Sequence, residues 1–280
     1  MAPEGPTRSA LIALYRDRGA IESGRALSLP EHCAHAGACW TGIAGQRYKA
    51  TTIALPWIGA DYPTSRLLVI GENLNGDNEG IDILAGENGY VSAAIAELAE
   101  RRRVRFGNPP TKYAGSLLWH CIGAYAAAIL GDRPDSGFRH VVSTDGDIAS
   151  AHVRAAHSHI AYTNHVKCSI DDGHRSQPSP AMWQRCGAHF LAAEMEILAP
   201  EVILALGRGN NGTRLVSMLQ AAGTEVGPEA SSGSAVVSRS FQVDHRRVEL
   251  LIVPHPSYYR VPWGTVVRAL RERFTGGAST

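Results

Sequence analysis

Side chains able to do chemistry stand where apolar runs stop. Glu72 and Asn73 follow the run 66–71 (RLLVIG), and Asn164 closes 159–164 (HIAYTN). Arg208 and Asn210 follow 201–207 (EVILALG); His255 and Ser257 follow 248–254 (VELLIVP). A carboxylate can take a proton. An Asn amide presents a donor and an acceptor that exchange places when it flips. A histidine near neutral pH offers an uncharged N–H donor. Cys33, Cys39, Cys168 and Cys186 add sulfur ligands, and Cys121 lies in an apolar stretch that reads as core. Metal or cluster ligands, or plain buried thiols, fit five cysteines better than a disulfide framework.

The elements that must position these groups follow from the runs themselves. Each run is rich in Val, Ile or Leu and continuously apolar, as a strand covered on both faces requires. Helical patterns lie between them, at 91–103, 115–130, 181–198, 213–222 and 262–274. The 115–130 stretch is apolar almost all round and predicts a buried helix. In 181–198, Ala188, Leu191, Met195 and Leu198 share one face. Alternating strands and helices predict a three-layer α/β/α sandwich around a central parallel sheet of about four strands. Residues 226–240 read as a Gly/Ser-rich loop or weak hairpin, and 275–280 as a frayed tail. In such open sheets the ligand sits beyond the carboxyl ends of the strands, the rim where the polar residues gather.

The chain has 280 residues, 44% hydrophobic and 19% charged, enough for one large domain with a buried core. The formal net charge of +1 excludes a polycation, so any nucleic-acid surface is a local patch. No apolar run is long enough to span a membrane, and residues 1–8 lack a signal-peptide core, which predicts a cytoplasmic protein with no membrane partner.

In order, the rim segments resemble the uracil-DNA glycosylase superfamily. Gly71-Glu72-Asn73-Leu74-Asn75-Gly76 stands where its first motif ends a strand in Gly-x-(Asp/Asn/Ala)-Pro. Asn164-His165-Val166-Lys167-Cys168, followed by Arg175, Pro178 and Cys186, is similar to the superfamily's iron–sulfur branch. The run from Pro200 to Gly207 resembles that branch's third strand, and His255-Pro256-Ser257 matches its His-Pro-Ser motif. The similarity spans roughly residues 33–274. It implies a single domain at 1–280, with an N-terminal arm at 1–60 carrying Cys33 and Cys39 and an insertion at 103–157.

The resemblance implies a monofunctional glycosylase that hydrolyses the N-glycosidic bond of a flipped pyrimidine in DNA and leaves an abasic site. Such a site positions a water and stabilises the departing base anion. Asn73 would orient the water, with Glu72 sharing a base role. His255 would donate to the base carbonyl. Asn164 would read the Watson–Crick edge. Gly71, Asn75 and Tyr90 would complete the base pocket, Tyr90 by stacking or merely as core. Arg175, Arg208, Ser257, Tyr259 and Arg260 would contact DNA. The arginines at 101–103 and Arg105 serve as phosphate contacts or as a solvated helix end. Lys167 takes no Schiff-base role. The fold commonly works as a monomer, and no organic cofactor is implied.

Two departures bear on specificity. Leu74 replaces the usual proline, and Asn75-Gly76 stand where the strictest uracil enzymes carry a tyrosine. The smaller residues leave room at the base's 5-position. The target is therefore uracil or a 5-modified pyrimidine, including the hydroxymethylated or glucosylated cytosines of phage DNA, which would make the protein a defence enzyme. A binding protein on this fold that has lost catalysis is a further alternative, as is a hydrolase of free nucleosides. Cys33, Cys39, Cys168 and Cys186 follow the order of the branch's [4Fe–4S] ligands, although Cys33 and Cys39 are separated by five residues instead of two. Zinc, with His32 or His35, and four ordinary thiols are the alternatives.

Overall fold

The computed structural model describes residues 5–22, 25–26, 33–35, 39, 47–48, 55–72, 114–131, 155–168, 170–171, 178–232, 235–256 and 263–275. Helix α1 (Pro6–Asp17) comes first. Strands β1 (Trp57–Ile58) and β2 (Leu67–Gly71) precede helix α2 (Ala114–Leu130) and strand β3 (Ile160–Asn164). Helix α3 (Pro180–Cys186) runs through a π turn (Gly187–Leu191) into α4 (Ala192–Leu198). Strand β4 (Val202–Leu206) leads through a second π turn (Arg208–Gly212) to α5 (Thr213–Ala221). Strands β5 (Ala230–Ser232), β6 (Val236–Val243) and β7 (Arg246–Val253) and helix α6 (Trp263–Thr275) complete the set. Two ribbons, Ile21–Glu22 with Arg25–Ala26 and Arg47–Tyr48 with Ile170–Asp171, lie outside the main sheet.

Among the described residues the main sheet has seven strands, in the order β1-β3-β2-β4-β7-β6-β5. Its centre is the expected parallel set: β3 with β2, β2 with β4, and β4 with β7. Strands β2, β3 and β4 are buried at every residue. The edges are antiparallel and extend the sheet beyond the four expected strands. β1 adds to β3, and the 226–240 stretch supplies β5 and most of β6. β6 turns into β7 through Asp244 and His245, both at positive φ (47° and 64°), the twist a tight hairpin needs.

Apolar side chains divide between two faces, as the period of two in a strand dictates. One face packs Leu67, Val69, Tyr162, Leu204 and Leu251 against α2 and α6. The other packs Leu68, Ile70, Ala161, Ile203 and Leu250 against α1, α4 and α5. The three layers are thus complete. Helix α2, inside the 103–157 segment expected as an insertion, is one of the most buried elements, and Cys121 lies fully within it.

Ser179 caps α3 by accepting from the Met182 amide at 3.3 Å, with Pro180 in the first turn. The π turn inserts one residue into the rod and rotates α4 about the axis relative to α3. The buried face consequently runs Met182, Trp183, Cys186, Phe190, Leu191, Glu194 and Leu198; Ala188, expected on that face, is exposed. At the end of the rod, Tyr62 donates to the Leu198 carbonyl at 3.1 Å and Arg246 to that of Ala199 at 2.9 Å, so these two acceptors of the helix end are met. The expected 91–103 helix and residues 276–280 lie outside the described residues. No helix among those described is long and apolar enough to cross a membrane.

Candidate active site

Chain order and sheet order part company at one crevice. From β2 the chain crosses to β3 on one side, then passes over to β4 on the other, so β2 and β4 flank the switch point where such folds bind ligands. Glu72 leaves the end of β2 and lies across Gly207 at the end of β4. Gly207 has φ 109°, and a Cβ there would stand 2.5 Å from Glu72 Oε1. The Asn211 amide donates to the Glu72 carboxylate, yet burial dominates and raises its pKa above the usual range.

Asn211 ties the crevice together. Its fully buried side chain donates through Nδ2 to the Ile70 carbonyl at 2.8 Å and the Leu206 carbonyl at 3.0 Å. Its Oδ1 sits 3.2 Å from His165 Nδ1. Since Nδ2 is committed to carbonyls, Oδ1 must accept, which places the imidazole proton on Nδ1. His165 is buried edge-on against Trp183, and burial lowers its pKa to about 4. Nothing in the sequence distinguished His165 or Asn211; each draws its role from a partner 46 positions away or from the ends of neighbouring strands.

Past the strand ends the pairing of β2 with β3 continues, with the His165 amide on the Gly71 carbonyl and the Val166 amide on that of Glu72, each at 2.9 Å. Gly71 and Asn164 are direct register partners. Asn164 is buried, its Oδ1 accepts from the Tyr162 hydroxyl at 2.9 Å, and its Nδ2 has no partner among the described residues. A Cβ at Gly71 would collide with both of those oxygens. His255 follows β7 by two residues, between Pro254 and Pro256, and is partly buried. Burial lowers its pKa to about 4, so it is an uncharged donor at neutral pH. Arg208 starts the turn after β4, half-exposed, with Glu229 at 3.8 Å.

The rim at the carboxyl ends of β3, β2, β4 and β7 thus carries Asn164, Glu72, Arg208 and His255, as the sequence predicts. Asn73, Asn75, Tyr90, Arg175, Ser257, Tyr259 and Arg260 lie outside the described residues. The model of the uracil DNA glycosylase superfamily matches residues 59–274. The chain belongs to that superfamily. No curated protein matches it.

Members of the uracil DNA glycosylase superfamily are DNA glycosylases, hydrolases acting on DNA. In this member, Lys167 is fully buried and spoken for. Its ammonium lies 2.7 Å and 2.8 Å from the two Glu194 oxygens and 2.6 Å from Thr163 Oγ1. Tyr15 of α1 donates to the same carboxylate. Such a lysine is not poised to attack a sugar.

Beside that ion pair lie the four cysteines. Cys39, Cys168 and Cys186 share a buried cluster with Val166, Met182 and Trp183, and Cys33 is half-buried. Cys168 and Cys186 each feel the charge of Cys33 and Cys39. Among the described residues, no three His, Cys, Asp or Glu side chains close on a point as they would around a single ion. Burial pushes the Cys186 thiol up to about 12, against the Lys167 amide, which donates to its sulfur. Three thiols are thus buried together and Cys33 packs against the neighbouring core; thiolates are the ligand type that an iron–sulfur cluster takes.

Proposed function

We propose that this superfamily member is a monofunctional glycosylase that removes a flipped pyrimidine from DNA. The observation that carries the reading is the convergence, at the switch-point rim, of a buried amide with an unpartnered donor, a carboxylate raised by burial and a histidine kept neutral by burial.

The chemistry follows from those groups. As the C1′–N1 bond breaks, its electron pair leaves with the base and positive charge grows on the sugar. His255, neutral at pH 7, donates to the base carbonyl where the negative charge collects. Asn164 holds the base by its edge. Water adds at C1′, and its proton passes to the Glu72 carboxylate, whose raised pKa brings it nearer the operating pH, or to solvent. Asn73 would orient that water. Arg208 would contact a phosphate at the mouth.

Cys33, Cys39, Cys168 and Cys186 would hold a [4Fe–4S] cluster. When bound, the cluster would supply a structural tie between the N-terminal arm and α3.

Alkali cleavage of oligonucleotides carrying single uracils, mismatched thymines, 5-hydroxymethylcytosines or their glucosylated forms tests the reading, in single and double strands. Strand breaks at one of these bases, lost in His255→Ala, are expected. No break at any base, with DNA binding intact, would instead identify a non-catalytic binder.

A further inference from the structure

We propose that His165 is a positioning residue for the reaction: its Nδ1–H holds the Asn211 side chain and so aims the Asn211 main-chain N–H at the Glu72 carboxylate. This rests on the glycosylase reading of the rim and names a residue that acts through its carboxylate.

The contacts run through one residue. Asn211 Oδ1 lies 3.2 Å from His165 Nδ1, and the Asn211 main-chain N–H donates to Glu72. Asn211 Nδ2 spans the Ile70 carbonyl of β2 and the Leu206 carbonyl of β4, at 2.8 Å and 3.0 Å. A flipped amide would set oxygen against both carbonyls and nitrogen against the imidazole N–H. Strands and imidazole therefore agree on one orientation. Both side chains are buried, so water does not stand in for the His165 donor. Without that donor, Oδ1 is a buried acceptor left unmet, at a cost that shifts the short turn carrying it.

The imidazole is held to this task. Trp183 packs on it edge-on, with centroids 4.7 Å apart. Its Nε2 side faces Gly187 and Met218: a Cβ at Gly187 would stand 2.9 Å from Nε2 and 2.9 Å from Met218 Sδ. Burial keeps the ring neutral, and the charged groups that act on it, Lys167 and Arg214, are cations that disfavour an imidazolium. Its one proton stays on Nδ1, toward the Asn211 acceptor. The main chain adds a second tie. The His165 amide donates to the Gly71 carbonyl and the Val166 amide to that of Glu72, each at 2.9 Å. One short extension of β3 thus fixes Glu72 at its backbone and, through Asn211, at its carboxylate.

The test compares wild type with His165→Leu, which removes the donor, and His165→Asn, which places an N–H where Nδ1 stands. The first readout is the titration of the Glu72 carboxyl by 13C NMR, its signal assigned by its loss in Glu72→Gln. A donor to the charged form lowers a carboxyl pKa, so His165→Leu should raise that of Glu72 by about one unit. His165→Asn should return it toward wild type. The second readout is single-turnover excision of the base that wild type removes fastest. His165→Leu should slow it about tenfold at pH 7 and move its acid limb to higher pH, yet cost nothing further in a Glu72→Gln background. A folded His165→Leu with an unchanged Glu72 titration, or an equal rate loss in both backgrounds, overturns the proposal. If wild type excises nothing, the glycosylase reading fails, while the titration still decides whether His165 governs Glu72. If His165→Leu does not fold, imidazole 15N shifts of the wild type decide: a proton on Nδ1 supports the proposal, and one on Nε2 overturns it.

Discussion

The Glu72 carboxylate rests on Gly207, whose backbone at φ 109° leaves a floor without a side chain. The contact joins the ends of β2 and β4, the two strands on either side of the switch point. It also explains why the turn needs glycine twice over: for its dihedral and for the space above it.

Gly207→Ala should therefore fail on both counts. A non-glycine residue in that backbone region costs about 1–3 kcal/mol. The added methyl would also push the carboxylate off its Asn211 donor. We expect a lower urea midpoint and a fall in single-turnover excision larger than the loss of folded protein explains. Equal stability and rate in the variant would remove Glu72 from the site.

The pH dependence of excision separates Glu72 from His255. A base must be ionised, and the pKa of Glu72 is raised by burial, so the rate should fall with pH before an ordinary carboxylate would titrate. His255 stays neutral down to about pH 4 and should add no limb above that. Single-turnover rates from about pH 4.5 to 8 should show the acid limb in wild type and lose it in Glu72→Gln. A limb that survives in Glu72→Gln assigns the base elsewhere.

The limits of sequence reading are physical ones. The four parallel strands were legible because burial on both faces demands unbroken apolar runs, such as Leu67–Gly71 and Val202–Leu206. Of the edge strands, β1 was not legible, and the β5–β6 pairing was legible only as one of two readings, loop or weak hairpin, because Ser238, Arg239 and Ser240 look like loop residues until a partner strand supplies their hydrogen bonds. Glu72, Asn164, Arg208 and His255 were legible by ending those runs. Tyr162 was concealed inside one, although its alternation with Asn164 could have shown that the two share a face. Ala188 was misplaced because no local signal announces a π turn. Asn211 and Glu194 were beyond reach, since each draws its meaning from partners far along the chain.

Lys167 and Glu194 form an ion pair with no access to water. Burial pulls the lysine's pKa down while Glu194 pushes it back up, so the ammonium depends on its partner. Lys167→Met leaves a buried carboxylate with Tyr15 and Thr163 as its remaining donors. A loss of about 3–5 kcal/mol is expected, with partial recovery in Lys167→Met/Glu194→Leu, where neither charge remains. Chemical denaturation of the three proteins checks this. A double variant no better than the single one would argue against charge pairing as the cause.

The cysteine reading predicts composition. Protein purified without oxygen should carry iron and acid-labile sulfide in equal amounts, and Cys186→Ser should lose both. Zinc without sulfide would favour a single-ion site, and neither metal would leave four buried thiols.

Stability should itself depend on pH, through His165 and His255. Each has a folded pKa of about 4, below the ordinary 6.5. Above pH 6.5 both are neutral whether the chain is folded or not, and their contribution is complete. Between 6.5 and 4 the unfolded chain binds protons that the folded one refuses, so stability falls as pH drops, by at most about 1.4 kcal/mol per pH unit for each histidine. Below about pH 4 the folded state takes the protons too, and this loss levels off. Glu72 opposes the trend, because a raised folded pKa favours the folded state as acid is added, but it is one group against two. Urea midpoints should therefore decline from about pH 7 to pH 5, and His255→Gln should remove about one proton's worth of the slope. A wild-type midpoint that stays flat over that range would mean that the imidazoles are solvated, and His255 would then lose the burial that makes it a neutral donor.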